Sequence, residues 1–185
     1  LLNVTVQDDE IRMILSALEM VFRGSPKSVT TAFPKLSGFL NKLLKLLDRF
    51  ETSNSKLAEV SILNIIRILY SCSRSSELRN SILHQAGMLA ALSHNHTNPD
   101  IRNTRIRILA NLANSDENKL LIMEQPGLIE MVLRVAHFDD NPNIRHVCST
   151  ILMELSNTYS GKLARNDNVL GTTVKMVMLE KSNQT

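Results

Sequence analysis

Apolar residues recur at intervals of three and four along most of this chain, the period of a helix with one buried face. From Glu10 to Phe22 the residues Ile11, Ile14, Leu15, Leu18, Val21 and Phe22 predict one long helix, ended by the loop Arg23-Gly24-Ser25-Pro26-Lys27-Ser28. From Leu36 to Arg49 the run Leu36, Phe39, Leu40, Leu43, Leu44, Leu46 and Leu47 predicts a second amphipathic helix, with Glu51 to Ser55 as a polar linker. Leu, Ile and Met are abundant, whereas Trp is absent and Tyr and Phe number only 2 and 5. That balance favours helices over pleated sheets as the builders of the core, so the expected class is all-α.

The pattern repeats. Ser76-Glu77-Leu78-Arg79-Asn80-Ser81-Ile82-Leu83-His84-Gln85-Ala86-Gly87 aligns without a gap on Asp116-Glu117-Asn118-Lys119-Leu120-Leu121-Ile122-Met123-Glu124-Gln125-Pro126-Gly127, sharing Glu, Ile, Gln and Gly. Asn98-Pro99-Asp100-Ile101-Arg102 returns as Asn141-Pro142-Asn143-Ile144-Arg145, and Ile108 to Asn114 is answered by Ile151 to Asn157. In each Asn-Pro pair the Asn starts a turn, and the Pro suits a first helical position where a missing N–H costs nothing. Gly87 and Gly127 each break a short helix before the next begins. The unit is thus a short polar helix ending in Gln-x-Gly, a short apolar helix, a loop and a long helix. A two-helix repeat would lack the first of these.

This unit resembles the armadillo repeat, from about Asp9 to Leu179 and most specifically between Lys56 and Asn157. The resemblance implies a right-handed α-solenoid of about three complete repeats plus partial ends, in approximate units 1–50, 56–97, 98–140 and 141–180 of a single domain. The absence of an initial Met and the polar tail from Lys181 to Thr185 suggest a segment of a longer chain. Residues 166–171 match the Gln-x-Gly turn poorly, and Gly171 to Leu179 is expected to close the stack. Leu36 to Phe50 and Val169 to Leu179 would expose apolar faces if no capping repeats follow in the full protein, and self-association would then favour an assembly role.

Armadillo proteins, by resemblance, bind extended segments along a concave surface lined by the third helix of each repeat. In peptide-importing members, a Trp and an Asn one turn apart recur on those helices. In that register Arg107 takes the Trp position and Asn111 the Asn position; the preceding repeat offers Arg67 and Ser71, the following one Thr150 and Glu154, and the first helix Ser16 and Met20. Adaptors that import basic signals are therefore a poor match. Asn103, Arg107 and Asn111 share one helix face at i, i+4 and i+8, and the forked guanidiniums of Arg67 and Arg107 suit carboxylate or phosphate. Arg105 departs from the family, which usually keeps a small buried residue there.

Net charge is only +3, with 21 basic and 18 acidic residues, too little for nucleic acid or an anionic membrane on composition alone. Lys35, Lys42, Lys45 and Arg49 lack the interleaved aromatics that stack on bases and read as a solvated face. Cys72 and Cys148 fit core positions in a reducing compartment. The His94-Asn95-His96 pair lacks a third metal ligand, His137, Asp139 and Asp140 suit helix capping, and the Met residues suit core gaps, save Met20. No phosphate-cradling loop, zinc-protease signature or nucleophile elbow is present. The sequence therefore predicts a non-enzymatic module, without catalytic residue, metal, cofactor or small-molecule substrate, inside the cell in cytoplasm or nucleus. It would bind a protein or peptide partner, preferably acidic or phosphorylated. The alternative is a scaffold that packs through its convex face or ends within a larger protein or oligomer.

Overall fold

The structure, a computed structural model, describes residues 2–24, 36–53 and 55–163. Among the described residues there is helix and no strand. The helices are α1 (Leu2–Gly24), α2 (Leu36–Glu51), α3 (Lys56–Ser73), α4 (Ser76–Leu83), α5 (Met88–Ser93), α6 (Pro99–Leu112), α7 (Asp116–Glu124), α8 (Leu128–Phe138) and α9 (Pro142–Leu163).

The boundaries follow from local chemistry. The Ser55 hydroxyl accepts the Ala58 N–H at 3.0 Å to open α3, and Ser115 does the same for Asn118 at 3.3 Å to open α7. Asn98 accepts the N–H groups of Asp100 at 2.9 Å and Ile101 at 3.5 Å, with Pro99 in the first turn of α6. These caps satisfy donors that a helix start leaves orphaned. Asn141 accepts from the Asn143 N–H at 3.0 Å at the start of α9. Gly87 and Gly127 stand at φ 83° and 76° before α5 and α8, backbone conformations that a side chain would strain. The two Gln-x-Gly turns thus have one physical cause.

The long helices α1, α3, α6 and α9 lie side by side in chain order, each packed on the next. The second layer is formed by α2, α5 and α8, with α2 on α3, α5 on α8 and α8 on α9; α4 and α7 sit beside these at the start of each unit. Between the layers runs one apolar core, including Leu40, Leu43, Ile62, Ile65, Ile66, Leu69, Ile106, Leu109, Val132, Ile144 and Cys148. Helices α3, α6 and α9 bury the face turned to the short ones, whereas α1 packs on α3 and turns Met13, Ile14, Met20 and Val21 to water.

Several expectations need correction. The first helix starts at Leu2 rather than Glu10. Ile14 and Val21 do not join the buried face of α1, which is made by Leu15, Glu19 and Phe22; apolar residues lie on two faces of that helix, and only one meets α3. Met13 and Met153 are exposed rather than in the core, whereas Met88 and Met131 fill it. The apolar face of α2, which would lie bare without a neighbouring layer, is buried through Leu40, Leu43, Leu47 and Phe50. Lys35, residues 166–171, Val169 to Leu179, Met176 and Met178 lie outside the described residues.

Arg105 is 2 % exposed. Its guanidinium is paired with Glu51 at the end of α2, and Nη1 donates to the His94 carbonyl at 2.6 Å. The other Glu51 oxygen meets His94 Nδ1 at 2.6 Å. Burial pulls the Arg105 pKa down, while the charge and hydrogen bond of Glu51 push it back up. One buried ion pair thereby ties α6 to α2 and to the loop after α5, at the position where the resemblance implies a small side chain.

Candidate functional site

The exposed strip of α1, α3, α6 and α9 carries the residues that the register selects. Helix α3 is rigidly seated by its isoleucine-rich buried face, so its exposed positions are fixed in direction; Arg67 is one of them. Arg107 is the exposed position in the middle of α6. Neither arginine has a hydrogen bond or carboxylate partner among the described residues. By contrast Arg12, Arg49, Arg102 and Arg105 are each paired, with Asp9, Asp8, Asp139 and Glu51.

Polar side chains stitch the long helices together beside this strip. Asn64 Nδ2 donates to the Ser16 hydroxyl at 2.9 Å, joining α3 to α1. Asn111 Nδ2 donates to the Ser73 hydroxyl at 2.9 Å, joining α6 to α3, and that hydroxyl donates in turn to the Tyr70 carbonyl at 2.7 Å. Ser71 is 7 % exposed, so a ligand would meet little of it. Asn103 is half-buried, and its Oδ1 is shielded from water without a donor. A buried carbonyl of this kind costs free energy until a donor reaches it. Met20 stands exposed on α1, apart from the stitched positions.

The α9 end differs. Thr150 is exposed and donates to the His146 carbonyl at 3.0 Å. Glu154 accepts from Lys119 Nζ at 3.2 Å, and the same ammonium reaches Thr158 Oγ1 at 3.0 Å and Asp116 at 3.4 Å. Burial pulls the Lys119 pKa down, but the hydrogen bonds and charges of Glu154 and Asp116 outweigh it and hold it above the usual lysine value. Between α6 and α9 these groups border an open cleft of about 420 Å³, with Ala110, Ala113, Val147 and Ile151 as its apolar part and Asn114 at its edge. Lys119, Asn64 and Ser73 were not singled out in the sequence. The common signal for Asn64 and Ser73 is a polar residue interrupting an apolar helix face; for Lys119 only Asp116 is near in sequence, and Glu154 lies 35 positions away.

Other polar signals resolve into structure. Asp139 takes the Arg102 Nε–H at 2.7 Å and the Asn141 N–H at 2.9 Å, an ion pair and a capping contact in one carboxylate. His96 Nδ1 accepts the Asn98 N–H at 3.0 Å. Burial lowers the His96 pKa, the Arg105 charge lowers it further, and Glu59 and Glu51 oppose both. The thiols of Cys72 and Cys148 are pushed up to about 12 by burial, with Asp139 adding to it at Cys148, so the reactive thiolate is scarce at neutral pH. Among the described residues no group of three or more His, Cys, Asp or Glu could hold a metal ion, and no helix is long and apolar enough to cross a membrane. Comparison with family models, with curated proteins and with solved structures returned no match.

Proposed function

We propose that this chain is an armadillo-type solenoid module, acting inside the cell, that binds a segment of a partner protein along the strip formed by α1, α3, α6 and α9. The segment is extended and acidic or phosphorylated. The observation that carries this reading is the pair Arg67 and Arg107, at corresponding places on adjacent long helices, exposed and without intramolecular partners.

An exposed arginine alone is unremarkable, since long side chains often lie solvated over apolar neighbours. Two on neighbouring helices, with interaxial spacing of about 8–10 Å, set forked donors along a line that an extended chain can follow. Asn103 stands one turn from Arg107 on the same helix face, half-buried beside it. The guanidinium supplies paired hydrogen bonds and charge to carboxylate or phosphate oxygens. Rigidity is part of the function: a scaffold whose helices are already stitched together loses little freedom on binding.

The alternative, a structural scaffold that assembles through its ends, draws on a different observation, the bare apolar face of α1. The discriminating experiment is a pull-down from cell extract with the wild-type chain and with Arg67→Glu/Arg107→Glu, after circular dichroism confirms equal helicity. Loss of a partner in the variant alone supports the strip. Identical partners in both would refute it and move the function to another surface.

A further inference from the structure

The repeat lets two interspaces between long helices be compared position by position. Arg67 on α3 corresponds to Arg107 on α6, so at the same offset Tyr70 corresponds to Ala110 and Ser73 to Ala113. Asn111 on α6 corresponds in turn to Glu154 on α9. Between α3 and α6 the chain supplies its own ring and its own tie. Tyr70 packs partly buried against the core, and Asn111 Nδ2 donates to the Ser73 hydroxyl at 2.9 Å.

Between α6 and α9 both are missing. Ala110 and Ala113 put methyl groups where the earlier unit has a ring and a hydroxyl, and a methyl accepts no hydrogen bond. The open cleft of about 420 Å³ lies at this place, with Val147 and Ile151 as its α9 wall and Thr150 and Glu154 beside them. Glu154 meets Lys119 through Oε2, and its side chain stays 48 % exposed, so it keeps acceptor capacity towards the cleft. An apolar floor with an acceptor at its edge suits an aromatic ring that bears an O–H or N–H, because the ring is buried while its polar tip finds a partner. Ala110 stands one turn from Arg107 on the same helix, so the cleft continues the row that Arg67 and Arg107 begin.

We infer that the segment bound along the strip carries, beside its acidic or phosphorylated residues, a tyrosine or tryptophan that enters the α6–α9 cleft and donates to Glu154. The inference rests on the strip reading above and adds the second half of the partner's chemistry: charge is read on α3 and α6, a ring between α6 and α9. The partner's ring takes the place that Tyr70 fills from within one unit earlier. Exposed ion pairs contribute little by themselves, whereas a buried aromatic side chain removes about 150–250 Å² from water and is the usual anchor of a short bound segment.

The chain contains no Trp, so a Trp in the ligand is the only indole in the mixture. The test is calorimetric titration of the full 185-residue chain with extended glutamate-rich peptides that carry Trp, Tyr or Ala beside the acidic residues. One set places that residue on the N-terminal side of the glutamates, the other on the C-terminal side. The expected result is that in one set Trp and Tyr bind at least about tenfold more tightly than Ala, with the Trp emission shifted to the blue. Ala110→Tyr, which puts back the ring of the preceding unit, should erase both the gain and the shift while the Ala peptide binds as before. Thr150→Phe, at an exposed position, is the second block should Ala110→Tyr lower helicity by circular dichroism. Equal binding of aromatic and Ala peptides, or a gain that survives the folded blocking variant, would overturn the inference and leave the arginine strip standing. Failure of every acidic peptide to bind wild type would overturn the strip reading, and this inference with it.

Discussion

Two parts of the long-helix strip use charge in opposite ways. On α3 and α6, Arg67 and Arg107 stand in water with no carboxylate beside them, while on α9 Glu154 is already engaged by Lys119, which Asp116 and Thr158 also hold. The register that relates Asn111 to Glu154 makes these positions equivalent in sequence, yet the molecule has spent the charge at one and left it unspent beside the other. A charge that is paired within its own chain gains little from a ligand, because the ligand must replace an existing contact. An unpaired one offers the full interaction. The proposed binding therefore rests on the α3–α6 part of the strip, while the charges of the α6–α9 part are engaged within the chain.

Arg105, two residues from Arg107 on the same helix, takes the contrast to its limit, and its substitution carries the largest expected effect. Arg105→Ala leaves Glu51 without its buried partner and should cost about 3–5 kcal/mol of folding stability, measured by urea denaturation. Replacing both Arg105 and Glu51 by Met should recover most of that loss, since no lone charge then remains. Neither change touches the strip directly, so the folded variants should keep partner affinity.

Arg67→Glu/Arg107→Glu should do the reverse. Stability is expected within about 0.5 kcal/mol of wild type, as for surface substitutions away from structural features, while partner affinity falls at least tenfold, about 1.4 kcal/mol, by titration of the captured partner. A stability loss equal to that of Arg105→Ala would erase the distinction between the two arginines.

Smaller still is the effect of Lys119→Met, which removes the tie between α7 and α9. A modest drop in Tm, with binding retained, would place that end of the strip in the scaffold; a collapse of binding would extend the site to α9.

The smallest effect is in pH dependence. The folded state lowers the His96 pKa below its unfolded value, so the folded protein binds fewer protons. Its contribution is fully present above the unfolded pKa, about 6.5, and is lost as pH falls through the folded pKa. Protonation also removes the Nδ1 acceptor from the Asn98 N–H at the start of α6. Thermal melts between neutral and mildly acid pH should therefore show a steeper loss in wild type than in His96→Asn, whose amide oxygen can accept at any pH.

The repeat and its punctuation were legible in the sequence because their causes are local. Asn98-Pro99 and the glycines at 87 and 127 specify their turns through their own backbone chemistry. The faces of α1 were not, because apolar residues cover too much of its circumference for periodicity to name the buried side. Ile14 and Val21 were grouped with Leu15 and Phe22, and only the packing on α3 separates them. Arg67 and Arg107 could be read as register equivalents, but their freedom from partners could not. The pairing of Arg105 with Glu51, 54 residues apart, and of Lys119 with Glu154 depends on which helices the fold makes neighbours. Charge in a sequence shows supply; the structure shows what is already committed.

The most direct test of the central claim is binding of the wild-type chain and of Arg67→Glu/Arg107→Glu to an array of extended peptides in matched acidic, phosphorylated, neutral and basic forms. The account predicts that wild type retains acidic or phosphorylated peptides and that the variant releases them. Preference for neutral or basic peptides, or the same acidic peptides held equally by both proteins, would contradict it.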